Sequence, residues 1–229
     1  MNGEATCTVI LPALDEADAI AEVVRGARRH CDEVIVVDGG SRDATAVRAT
    51  LAGARVLVEH RRGFGRACAT GFADAAGDIV VFMDADGSFH ADDIPLVVAP
   101  VADGSCDLCL GSRTRRPGNV QPWHLKLANQ ALGAMCRPAV GASLSDLGPL
   151  RAIRRDRLAE LGMMDMGVGW PLEMILRAGR GGLRVREVDV RYGDRVGGES
   201  KITGSMAGTA RVTRRMGLMI VRDTLKGGL

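Results

Sequence analysis

Aromatic side chains are scarce in this 229-residue sequence, at 3%, with four Phe, two Trp and one Tyr. A surface that holds single-stranded nucleic acid stacks bases on several such rings; there is little material for that here, and no nucleic-acid partner is expected. Lysine is scarcer still: Lys126, Lys201 and Lys226 stand against 27 arginines. No apolar run approaches the roughly 18 residues that span a bilayer. The opening MNGEATCTVILPALDE has no basic leader before its short apolar stretch. The expectation is a cytoplasmic chain, neither exported by a signal peptide nor membrane-spanning. Among the cysteines, Cys7, Cys31, Cys68, Cys106, Cys109 and Cys136, only Cys106 and Cys109 form a close pair, and a zinc site would need a second. They read as small buried hydrophobes of a reducing compartment. The histidines, His30, His60, His90 and His124, show neither triad nor metal spacing, and there is no repeat, low-complexity tract or linker.

What is present, 46% hydrophobic and 25% charged residues, suits one large domain with a real core. The first half alternates apolar runs with helical patterns: TCTVILPAL, a helix near Ala17 to His30, DEVIVVD, a helix near Asp43 to Ala52, ARVLVEH, a helix near Arg66 to Ala75, and DIVVFMD. Strand and helix in alternation predict an α/β fold with a mostly parallel central sheet flanked by helices. In such sheets ligands bind beyond the carboxyl ends of the strands, where Asp15 and Glu16, Asp38 to Ser41, and Asp84 to Ser88 fall. After Arg113 the alternation breaks. A loop, RTRRPGNVQPW, precedes a helix around Leu125 to Cys136, an irregular GASLSDLGPLRAI precedes a helix in GWPLEMILRAG, and LRVREVDVRY is one more strand. The domain thus divides into a first half, 1–113, an acceptor side, 114–204, and a basic C-terminal helix, 205–229.

VVFMDADGSFHADDIP, from Val80 to Pro95, sets two carboxylates at the end of a wholly apolar strand. Their charges repel unless something positive sits between them, and a hard divalent cation with phosphate oxygens would supply it. An ordinary acidic surface turn is the plainer alternative. Glycines at Gly63 and Gly65 with Arg66 before a helix could bring backbone N–H groups to a phosphate, though loops of this kind are common. From Arg191 onward eight Lys/Arg face three Asp/Glu. Val212, Met216, Met219 and Ile220 recur there at helical spacing, which suits an anionic membrane surface or packing on the domain itself or a dimer mate.

Taken together, VILPALDEADAI, VIVVDGGSRDAT, GFGRACATGFADAAGDIVVFMDADGS, LCLGSR and GGESK resemble, in order and spacing over nearly the whole chain, the family 2 glycosyltransferases. The branch most similar is that of the dolichol-phosphate and polyprenyl-phosphate mannosyl- and glucosyltransferases. The resemblance implies a single GT-A domain, a GDP- or UDP-linked sugar donor, Mg2+ or Mn2+, inversion at the anomeric carbon, and a lipid-phosphate acceptor met at the inner face of the membrane. It implies that Pro12, Ala13, Leu14 and Glu16 cradle the nucleotide, that Asp38 contacts base or ribose, and that Arg66 faces the nucleotide. By the same likeness Asp84, Ala85 and Asp86 form the metal and diphosphate site, and Arg113 reaches a phosphate. Arg195, Ser200 and Lys201 match a mobile loop that closes over the diphosphate, while Asp146, Arg151 and Glu173 line the acceptor side, the two acids as candidate bases. Asp15 replaces the family's usual Asn, and Ser88 replaces a Gln often found in that branch. FMDADGS also resembles the nucleophile motif of haloacid-dehalogenase-like phosphatases, which carry it nearer the N-terminus, and a non-catalytic nucleotide-sugar sensor would keep the same binding loops.

Overall fold

Val9 and Leu11 are buried on one side of a central sheet and Ile10 on the other. The same period of two separates Val34 and Val36 from Ile35 and Val37, and Ile79 and Val81 from Val80 and Phe82. These strands are apolar throughout because helices cover both faces, and each buried aliphatic side chain contributes about 1.5–3 kcal/mol. The computed structural model describes residues 5–113, 123–141, 144–196, 214 and 216–221. In chain order the elements are β1 (Cys7–Ala13), α1 (Ile20–Ala27), β2 (Glu33–Asp38), α2 (Thr45–Leu51), β3 (Arg55–Val58), α3 (Phe64–Asp74), β4 (Ile79–Phe82) and α4 (Ile94–Ala102). They continue with β5 (Leu108–Ser112), α5 (Trp123–Met135), α6 (Arg137–Val140), β6 (Arg151–Arg154), α7 (Arg155–Leu161), α8 (Trp170–Arg180) and β7 (Val185–Asp189).

The strands lie in the order β3-β2-β1-β4-β6-β5-β7. All neighbours are parallel except β6, which runs against both β4 and β5. The expected α/β fold with a mostly parallel sheet is therefore present. Two apolar layers sandwich it, one holding α1, α2 and α4, the other α3, α7 and α8.

Four elements, α4, α6, β6 and α7, were not expected. Leu150 and the Arg151–Arg154 stretch fall in what reads as irregular sequence, yet Phe82 and Leu110 both pair with Arg151. Helix α4 carries two prolines, of which Pro95 lies in the first turn, where a missing N–H is harmless. At the C-terminus, 216–221 are helical, with Met216 and Ile220 buried in the α8 layer and Arg214 exposed. The rest of the expected basic helix lies outside the described residues. Within them, no helix is long and apolar enough to cross a membrane.

Candidate active site

β1, β2, β4 and β5 all end at one edge of the sheet, and the antiparallel β6 begins there. Past β1, Asp15 adopts φ 51°, a left-handed conformation that Asp and Asn tolerate better than most residues. Its Oδ1 accepts Arg42 N at 2.7 Å and its own N–H donates to Ser41 Oγ at 2.8 Å. Glu16 N donates to Thr45 Oγ1 at 2.8 Å, and the buried Asp38 accepts the backbone N–H and hydroxyl of Ser41. The loops after β1 and β2 are thus laced together, with Leu14 exposed above them.

β4 delivers the two aspartates. Burial first, and then the Asp86 charge, push the Asp84 carboxyl up to about 6, against the opposing pull of Arg113, Arg195 and Arg151. Asp86 Oδ1 accepts Ser88 N at 2.9 Å and Ser88 Oγ at 2.6 Å. Its Oδ2 faces Arg195 Nη1 at 3.1 Å, and Arg195 Nη2 reaches Glu16 Oε1 at 2.7 Å. The strap that carries Arg195 runs beside the aspartate loop: Phe89 pairs with Tyr192, Gly193 N donates to Ser88 O at 2.9 Å, and Val196 N to Asp86 O at 3.1 Å.

β5 delivers Arg113, whose Nε and Nη2 grip the fully buried Asp146 at 2.7 and 2.8 Å, with the Arg113 backbone N–H adding a bond at 3.1 Å. Burial opposes both charges, but each outweighs it in the other: the Asp146 carboxyl lies below its ordinary range and the Arg113 guanidinium above its own. Tyr192 lies under that guanidinium, 5.1 Å from the ring centre. Glu187 of β7 accepts Ser145 N at 2.9 Å and Asp146 N at 3.0 Å, which fixes the loop from which Asp146 projects.

Residues 8–162 match the family model for glycosyl transferase family 2. The chain belongs to that family. An uncharacterised glycosyltransferase of Mycobacterium tuberculosis is 39% identical over 209 residues, 91% of this chain and 94% of the relative. Undecaprenyl-phosphate mannosyltransferase of Micrococcus luteus is 32% identical over 238 residues, 96% and 97% of the two chains. Among solved structures, glucosyl-3-phosphoglycerate synthase of Mycobacterium tuberculosis, in complex with Mn2+, UDP and phosphoglyceric acid, superposes with a TM-score of 0.75 at 28% identity, covering 96% of this chain and 78% of that one. As a family 2 glycosyltransferase, the chain is an enzyme, and the phosphatase and sensor readings of its aspartates are set aside.

The fold brings Glu16, Asp84, Asp86 and Arg195 together, with the Arg113–Asp146 pair past the end of β5, two strands along the sheet from β4. Other expected site residues of this glycosyltransferase make their bonds to the protein's own backbone. Arg151 is 1% exposed. Its Nε donates to Gly148 O at 2.9 Å and its Nη1 to Pro171 O at 2.8 Å, with a further bond to Leu147 O. Burial pulls it down to about 10, and its donors are committed to backbone carbonyls, so it braces the floor of the site. Glu173 accepts Asp165 N at 2.6 Å and Arg177 Nε at 2.8 Å, so it anchors the loop before α8. The phosphate-cradle expectation for the glycine loop also changes, because Gly65 N and Arg66 N donate to Gly167 O and Met166 O, each at 3.0 Å. Glycine is needed there for close packing: a Cβ at Gly65 would stand 2.2 Å from Asp165 O. Arg66 Nε is buried without a hydrogen-bond partner. Ser200 and Lys201 lie outside the described residues. Glu187 and Tyr192 were not anticipated; two acids and the chain's single tyrosine in the alternating VREVDVRY were the available signal. A cavity of about 450 Å³ between α7 and α8, floored by Leu161, Leu176, Leu183 and Met219, includes neither aspartate of the β4 loop.

Proposed function

We propose that this glycosyltransferase moves a hexose, with inversion, from a nucleoside-diphosphate sugar to a polyprenyl phosphate. The observation that carries the choice of acceptor is the state of the two acids once offered as bases. Asp146 is locked to Arg113, and Glu173 is bound to two backbone N–H groups and Arg177. An attacking hydroxyl needs a carboxylate within reach to take its proton. A phosphate monoester, with a second pKa near ~6, arrives already ionised and needs a cation instead, which Arg113 provides. The likeness to undecaprenyl-phosphate mannosyltransferase supports the same acceptor. Leu218 and Val221, exposed beside Arg214, are suited to meeting a lipid surface.

Asp84 and Asp86 fit a divalent ion, Mg2+ or Mn2+. They offer two carboxylates at a buried strand end, one of them pushed up to about 6 by burial and by the charge of the other, and phosphate oxygens and water can complete the shell. Among the described residues no third acidic, His or Cys ligand joins them. When bound, the ion supplies positive charge against the departing diphosphate. Ser88 orients Asp86, Glu16 and Arg195 close the nucleotide side, and Glu187 and Asp146 aim Arg113 at the acceptor side.

A second acceptor is favoured by the likeness to a structure holding phosphoglyceric acid: a small phosphorylated molecule, held by the same arginines. Radiolabelled UDP- and GDP-sugars, with Mn2+ or Mg2+, offered undecaprenyl phosphate in vesicles or 3-phosphoglycerate in solution, separate the two. Label extracted into organic solvent is expected. Water-soluble phosphorylated product would favour the second acceptor, and no transfer to either would overturn both.

A further inference from the structure

Arg195 occupies the place where a cation is needed. It bridges Asp86 Oδ2, at 3.1 Å, to Glu16 Oε1, at 2.7 Å, and so ties the loop after β4 to the loop after β1. Its third nitrogen, Nε, is buried and makes no hydrogen bond. A buried donor left over in an otherwise fully engaged side chain calls for an explanation. Nε and one Nη together form the edge of the guanidinium that grips a phosphate through two parallel bonds, and here one half of that edge has no partner. The backbone on either side is held to the aspartate loop through Gly193 N and Val196 N, so Arg195 is delivered to Asp86 by a built strap.

We propose that Arg195 is a resident counter-ion that competes with the divalent ion for Asp86. It releases that carboxylate only when a diphosphate offers its guanidinium a bidentate partner. The inference rests on the reading of Asp84 and Asp86 as metal ligands. A guanidinium and a divalent ion cannot share one carboxylate oxygen without strong repulsion. In the nucleotide-free enzyme, binding an ion at Asp86 must therefore first break the Arg195 contact. With nucleotide present, the same arginine moves toward the phosphates and the repulsion becomes attraction. Ion and nucleoside diphosphate then bind cooperatively, each strengthening the other by the same factor, and the free enzyme is kept from loading metal without donor.

Mn2+ binding to the full chain, followed by loss of the free-ion EPR signal with and without UDP, and in parallel GDP, tests this without any turnover. Without nucleotide, Arg195→Gln is expected to bind Mn2+ about tenfold more tightly than wild type, and Arg195→Lys to fall between them. In wild type, nucleotide is expected to tighten Mn2+ binding by about tenfold or more beyond what the solution Mn2+-nucleotide complex explains, within the span of ordinary couplings. Arg195→Gln should lose most of that gain. Circular dichroism checks that the variants are folded; should the Gln variant fail, the Lys variant carries the comparison. Equal nucleotide-free affinity in wild type and variant, with Asp86→Asn abolishing Mn2+ binding, would overturn the competition while leaving the metal site standing. Mn2+ binding that persists undiminished in Asp84→Asn and Asp86→Asn would overturn both.

Discussion

Replacing Asp146 by Asn changes one oxygen to nitrogen and leaves the Arg113 guanidinium, 13% exposed, beside a neutral group. Removing one partner of a buried ion pair costs about 3–5 kcal/mol because the other charge stays buried. The amide keeps one acceptor oxygen for Arg113, which places Asp146→Asn near the low end, about 3 kcal/mol. At about 2–4 °C per kcal/mol for a chain of this size, the melting temperature should fall by roughly 6–12 °C. Transfer should fall with it, since Arg113 loses the carboxylate that aims it. Arg113→Met with Asp146→Leu removes both charges and should recover most of the stability, to within about 1 kcal/mol of wild type, with no activity. The pH dependence has a definite sign. The Asp146 carboxyl is depressed in the fold, so its contribution is fully present above the unfolded value near ~3.9 and is lost as pH falls through the lower folded value. Wild type should therefore show a steeper acid limb below about pH 4 than Asp146→Asn. Thermal denaturation across pH of wild type, Asp146→Asn, the double variant and its two component single variants, alongside transfer kinetics, checks all of this. An Asp146→Asn protein melting with wild type, or a double variant as unstable as the sum of the singles, would refute the reasoning.

The two β4-loop aspartates should separate in a metal-free melt although both variants lose transfer: Asp84→Asn should be more stable than wild type, because it removes a carboxyl held up to about 6 by burial, whereas Asp86→Asn gives up its Arg195 contact and should gain nothing. Gly65→Ala would drive a methyl against Asp165 O, 2.2 Å from its ideal position, and should cost about 1–3 kcal/mol in chemical denaturation. Met216→Ala and Ile220→Ala, at side chains 7% and 4% exposed, should each cost about 2–5 kcal/mol; denaturation that leaves both at wild-type stability would mean that this helix contributes nothing to the core.

The apolar runs of β1, β2 and β4 announce themselves because both faces are covered, and the acids at their ends could be located by counting to where each run stops. Arg113 was legible for the same reason. Its partner was not: Asp146 lies 33 positions away, and no local pattern states that two such residues meet. β6 was hidden because only Ala152 and Ile153 lie between arginines at Arg151 and Arg154, a pattern that declares no strand until neighbours on both sides supply its hydrogen bonds. Arg151 and Glu173 pose a different difficulty. A charged residue in an apolar stretch can serve a ligand or brace the protein's own backbone, and only the positions of the surrounding carbonyls and N–H groups decide between them.

β6 also acts as a spacer. Because one strand runs between β4 and β5, the ends that carry Asp84 and Arg113 stand two strand spacings apart, about 10 Å at the usual 4.7–4.9 Å each. That gap is set by backbone ladders and not by side chains, so loops on either bank can lengthen, shorten or change their chemistry without altering it. Such a frame would let a lineage exchange one acceptor for another on the β5 bank while the β4 bank continued to serve the same kind of donor.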